Sequence, residues 1–130
     1  MASQREKLII DFKKRSVKMV VDVVDFKDNG HYVVYAPSFK LSAYGESKDE
    51  AIKMLFEDVI VDYFSTLLQL KEFEVTSELS KYNWVKGKVL KKVFRNTAYV
   101  DKEGILKNFN LPIETPIGQN SISKTSLIAA

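Results

Sequence analysis

The sequence predicts an α+β protein in which a small antiparallel three-stranded sheet (β-β-β-α) is packed by one long helix. Three observations carry this expectation. Runs rich in Val, Ile and Phe fill the first 44 residues, an Asp28-Asn29-Gly30 turn separates two of them, and an apolar stripe of helical period opens just after Ser47. The chain has 130 residues, enough for one real core and too few for two comfortable ones. Residues 7–70 are expected to form the folded domain. Residues 71–130 are expected to be a basic, partly folded C-terminal extension of uncertain structure, with a flexible end.

The elements follow in order. The first six residues read as a disordered start. Residues 7–13 (KLIIDFK) and 17–26 (VKMVVDVVDF) are dense in strand formers with polar residues interspersed. Asn29 and Gly30 tolerate the positive φ angles of a tight hairpin, so a turn belongs there. Residues 31–36 (HYVVYA) form the returning strand, stopped by Pro37, which has no amide hydrogen for a ladder. Residues 39–44 (FKLSAY) alternate large apolar with small or polar side chains and fit a third meander strand, closed by Gly45.

The strongest local signal is Ser47-Lys48-Asp49-Glu50. A serine followed three residues later by a glutamate, directly before an apolar run, is a capping box. Asp49 and Glu50 also set negative charge at the positive end of the helix dipole. Ile52, Leu55, Phe56, Val59, Ile60, Tyr63, Phe64, Leu67 and Leu68 then recur at spacings of three and one, which places them on one face of a helix over about 48–69. Burial of such a side chain contributes about 1.5–3 kcal/mol before the opposing entropy. The hairpin is the nearest available cover, so helix and sheet should form one cooperative unit.

Beyond residue 70 the pattern weakens. Thr76-Ser77-Glu78-Leu79 marks the start of a short helix ending near Asn83-Trp84, and residues 85–100 lean towards strand. Residues 105–117 contain Pro112 and Pro116, and the polar, Ser-rich stretch 118–130 is expected to fray.

Composition bounds the function. Apolar residues make up 45% and charged residues 28%, ordinary for a soluble globular protein. No apolar stretch approaches the roughly 18–20 residues that span a bilayer, and MASQREKL lacks the apolar core of a secretory signal. There is no cysteine, which excludes disulfides, thiol nucleophiles and thiolate metal sites. A cytoplasmic location is the expectation. Charge is uneven: residues 31–84 carry five Lys/Arg against nine acids, and residues 85–130 carry eight against three. The middle is acidic and the last third basic.

Motifs for catalysis are missing. Asp11, Asp22, Asp25 and Asp28 supply carboxylates, but Asp22 and Asp25, three apart on one strand, point to opposite faces, and Asp28 belongs to the turn. His31 is the sole histidine, and no nucleophile elbow, Walker loop or dinucleotide fingerprint occurs. No catalytic residue, metal site or cofactor is expected. For nucleic acid, the candidate residues are Lys86, Lys88, Lys91, Lys92 and Arg95, with Trp84, Phe94 and Tyr99 nearby. The competing reading makes the same aromatics core anchors, with the cations on a solvated face.

The order Tyr32-Val33-Val34-Tyr35-Ala36-Pro37, then Gly45-Glu46-Ser47-Lys48-Asp49-Glu50-Ala51-Ile52, resembles the HicB-type antitoxin domain. The match covers about residues 17–69. The resemblance implies a partial RNase H-like fold without nuclease activity. It also implies a small HicA-type mRNA-interfering toxin as partner, repression of the operon, and assembly into homodimers or larger homo-oligomers. On this reading Glu46, Asp49, Glu50, Glu57, Asp58 and Asp62 offer complementary charge to a basic toxin. A nucleic-acid-binding module built on the basic C-terminal segment, and a stand-alone HicB-like oligomerisation domain, are the alternatives.

Overall fold

The computed structural model describes residues 6–88, 92–97, 102–112 and 114–128. Its strands are β1 (Lys7–Asp11), β2 (Ser16–Asp28), β3 (His31–Ala36), β4 (Leu41–Gly45), β5 (Trp84–Lys86), β6 (Val93–Asn96) and β7 (Gly118–Ile128). All pair antiparallel in one seven-stranded sheet, along the path β4-β3-β2-β1-β6-β5 with β7 attached to β2. This overturns the expected three-stranded sheet, because strands from beyond residue 70 join it. The α+β class stands, but three of the strands lie beyond residue 70. The stretch expected to fray is the longest departure: Gly118–Ile128 is a strand whose backbone pairs with Ser16–Asp25.

β2 organises this sheet because it is long. Its 13 residues extend about 43 Å at the usual strand rise, enough to serve two partners on one edge. β7 pairs with β2 from Ser16 to Asp25, so it occupies one edge throughout. β1 meets Ser16–Val20 and β3 meets Val24–Asp28, and both therefore lie on the opposite edge, end to end. Glu6 closes the gap between them. Its carboxylate accepts from the Asp22 amide at 3.1 Å and from the Ser38 hydroxyl. The β2–β3 hairpin turns at Asn29 (φ 53°) and Gly30 (φ 82°), the paired positive φ values of a type I′ turn.

Ser47 caps the helical rod, with the Glu50 amide donating to Ser47 Oγ at 3.1 Å, which is one of the two bonds of the expected capping box. The rod runs through α1 (Lys48–Met54), a π-helical turn (Leu55–Val59) and α2 (Ile60–Leu67), with α-helical dihedrals at both junctions. Gly45 permits this start: a Cβ there would lie 3.0 Å from the Ala51 nitrogen and 3.1 Å from Glu50 Cγ. Lys48 also reaches Asp25 on β2 at 3.5 Å, which ties the first turn to the sheet. Ser47→Ala should lower stability by about 1 kcal/mol, the usual effect of losing such a cap. Urea titration checks it, and an unchanged midpoint would show the cap to be idle.

α3 (Glu72–Ser80) starts four residues before the expected Thr76, because the Lys71 amide donates to the Glu74 carboxylate at 3.1 Å and starts the helix early. Of the region expected to be strand, 85–100, residues 85–86 and 93–96 lie in the paired strands β5 and β6, and residues 89–91 and 98–100 lie outside the described residues.

The sheet buries side chains on both faces. On one face Leu8, Ile10, Val17, Met19, Val21, Val23 and Val34 pack against Leu55, Phe56, Ile60, Phe64, Leu67 and Leu68 of the rod. Phe39, expected in a strand, lies instead in the turn after Pro37 and sends its ring into this core. There it stacks on Trp84 at 5.4 Å and meets Phe64 edge-on at 5.6 Å. On the other face Val24, Phe26 and Tyr35 are covered by α4 (Lys102–Asn108) and Phe109. Phe109 meets both Phe26 and Tyr35 edge-on at 5.0 Å. The segment beyond residue 70 thus completes both layers of the core.

Candidate functional site

The amphipathic rod buries one side against the sheet, and along its flank, where buried Leu67 and partly buried Val59 and Tyr63 border the exposed carboxylates, lies a groove of about 950 Å³. α2 and the π-turn build most of its wall, with Leu41 of β4 and Glu78 of α3 at its margins. Val59, Val61, Tyr63, Leu67 and Leu70 give it an apolar floor. Glu57, Asp58, Asp62 and Glu78 are the charged residues among the described lining, and all four are carboxylates. The π-turn helps to place them. Within that turn Leu55 and Phe56 are buried, while Glu57 and Asp58 are exposed.

Electrostatics in the groove follow from its walls. Glu78 is held by Lys81 at 2.7 Å, and this contact raises the Lys81 pKa above that of a free lysine. Burial pushes the Tyr63 phenol up to about 12, assisted by Tyr82 and the Glu78 carboxylate. Tyr63 therefore stays neutral at physiological pH and keeps its O–H as a donor at the groove floor. Its ring packs edge-on against Phe64 at 5.2 Å and tilts against Phe39 at 5.9 Å, so the floor is anchored in the main core.

Of the six acids expected to meet a partner, Glu57, Asp58 and Asp62 come together in the groove, and Glu46, Asp49 and Glu50 do not. The latter three cluster at the helix start, where Glu50 contributes its amide to the cap and Glu46 lies 3.9 Å from His31. Asp49 and Asp58 are nine residues apart, roughly 13 Å along the rod. Sequence reasoning missed Glu78 and Leu70 as members of the groove. The available signal was helical spacing in α3, which places Val75 and Leu79 inward and leaves Glu78 beside them only partly covered.

The described basic candidates lie on the β5–β6 hairpin or directly beside its strands. Lys86 reaches Glu72 at 3.2 Å, and Lys92 lies 4.0 Å from Asp11. Asp11 is itself committed to the β1–β2 turn, accepting the Lys13 and Lys14 amides at 3.1 Å, and the Lys14 bond is the main cause of its lowered pKa. Lys88 is exposed, and Arg95 faces outward on β6 opposite Lys7. Lys91 and Tyr99 lie outside the described residues. Trp84 and Phe94, the rings that would stack on bases, are both 0% exposed. Trp84 instead donates its indole N–H to the Ser38 carbonyl at 2.9 Å.

Asp22 and Asp25 fall on opposite faces of β2, Asp22 alongside Val24 and Asp25 alongside Val23. Among the described residues no group of three or more His, Asp or Glu is arranged to hold a metal ion, and no helix is long and apolar enough to cross a membrane. No protein-family model, curated protein or solved structure matches the chain.

Proposed function

We propose that the chain is a non-catalytic binding protein whose groove along α2 takes up a basic protein partner. The observation that carries this is the pairing of an apolar floor with charged lining residues that are all carboxylates, of which Glu78 is paired with Lys81. Apolar contact supplies affinity in such a groove, while like-signed walls steer a cationic partner and reject an anionic one. A small basic toxin, the partner that the HicB-type resemblance of residues 17–69 implies, is the candidate to test.

Co-expression with such a toxin should restore growth with the native chain and fail with Glu57→Lys/Asp58→Lys/Asp62→Lys. The purified variant should bind roughly tenfold or more weakly, chiefly through slower and less salt-sensitive association. All three side chains are exposed, so the fold should survive the exchange within about 0.5 kcal/mol per site. A triple variant that rescues growth and binds like the native chain sinks the proposal.

A further inference from the structure

We infer that the occupant of the groove is a cationic amphipathic helix of the partner, about two turns of it in contact. This rests on the groove being the binding site, and three features of its wall carry the rest. The first is what the wall is made of. Except for Leu41, the described lining residues come from the helical rod, the turn after it and α3. A helical wall presents side chains and no open backbone ladder. An extended peptide laid there would lose water from its amides and carbonyls without gaining partners, whereas a helix satisfies its own.

The second is spacing. Val59, Tyr63 and Leu67 follow one another at intervals of four, with Asp58 and Asp62 forming a second row at the same interval. Rows of this kind form the ridges and grooves into which a second helix seats its own rows. Leu70, 41% exposed, continues the apolar line past the end of α2, and Phe73, 71% exposed, stands three residues beyond it. The third is size. The apolar row from Val59 to Leu67 is about 12 Å long at the helical rise, or roughly two turns.

The occupant should therefore carry apolar side chains at i, i+4 and i+8, flanked by Lys or Arg one turn apart. Two fluorescent peptides of identical Leu and Lys composition test this against the full chain. One places Leu at the helical period, and the other alternates Leu and Lys as a strand does. By anisotropy the helical-period peptide should bind at least tenfold more tightly and gain helical circular dichroism on binding. Both Asp58→Lys/Asp62→Lys and Leu70→Asp should weaken it at least tenfold. Equal binding of the two peptides, or binding of neither, overturns the inference. Should a toxin still be captured in a manner that depends on Glu57, Asp58 and Asp62 while neither peptide binds, the helix is wrong and the groove stands. If charge reversal leaves both toxin and peptide binding untouched, the groove itself is wrong.

Discussion

Trp84→Ala is expected to lower the free energy of unfolding by about 3–5 kcal/mol, the range for deleting a large aromatic from a closed core. Trp84 is fully buried, stacked on Phe39 at 5.4 Å, and its indole N–H satisfies the Ser38 carbonyl at 2.9 Å. Ser38 in turn donates its hydroxyl to Glu6, the residue that fills the gap between β1 and β3. One side chain from β5 therefore supports the turn after β3, the start of β1 and the central aromatic cluster. Trp84→Phe separates two of these roles. It keeps a ring against Phe39 but leaves the Ser38 carbonyl without its donor, for a smaller loss of about 1–3 kcal/mol. Urea denaturation measures both. Native tryptophan fluorescence should be blue-shifted and resistant to iodide, and an accessible indole would contradict the burial on which both figures rest.

Trp84 also shows where the sequence was legible and where it was not. Its neighbours Lys86, Lys88, Lys91 and Lys92 fit a nucleic-acid surface as well as a solvated face, and local sequence cannot distinguish these. The place of Trp84 itself is settled 46 residues away, at Ser38. The long helix was readable because both its cap and its stripe are local: Ser47 and Glu50 are three apart, and the stripe repeats every turn. The Asn29-Gly30 hairpin was readable for the same reason. The sheet was not. β1 draws β6 from nearly 90 residues away through Lys7–Arg95, and such pairing leaves no mark on either segment alone. Half of the groove was legible for a related reason. Glu57, Asp58 and Asp62 belong to the helix whose phase was known, whereas Glu78 enters from α3, whose position depends on how the chain returns after Leu70.

The strand least visible in the sequence has the largest predicted effect. Gly118–Ile128 (GQNSISKTSLI) has only three apolar residues and reads as a polar tail. Yet it pairs along nearly the whole of β2, whose Val17, Met19, Val21 and Val23 line the main core. A chain ending at Ile117 leaves that edge of the central strand without partners, and backbone groups beside a buried face are costly to leave unpaired. The truncated chain should lose its cooperative unfolding transition, a loss on the order of the whole 5–15 kcal/mol of a small domain. Calorimetry should then show no peak where the full chain shows one. Two proline substitutions distinguish the ladder from the mere presence of the tail. The Asp22 amide points to the β1 edge, where it meets Glu6, so the amides of Val21 and Val23 point to β7. Ile122, opposite Val21, therefore directs its amide at β2, and Ser123, opposite Val20, directs its own away. Ile122→Pro removes a ladder bond and orphans a carbonyl, costing about 1–3 kcal/mol beyond whatever the ring itself imposes. Ser123→Pro takes an amide from the outer edge, where among the described residues no strand pairs with β7, and should cost distinctly less. Equal losses at the two positions would mean that β7 does not hold this register. A truncated chain melting at the native temperature would mean that β2 does not need it.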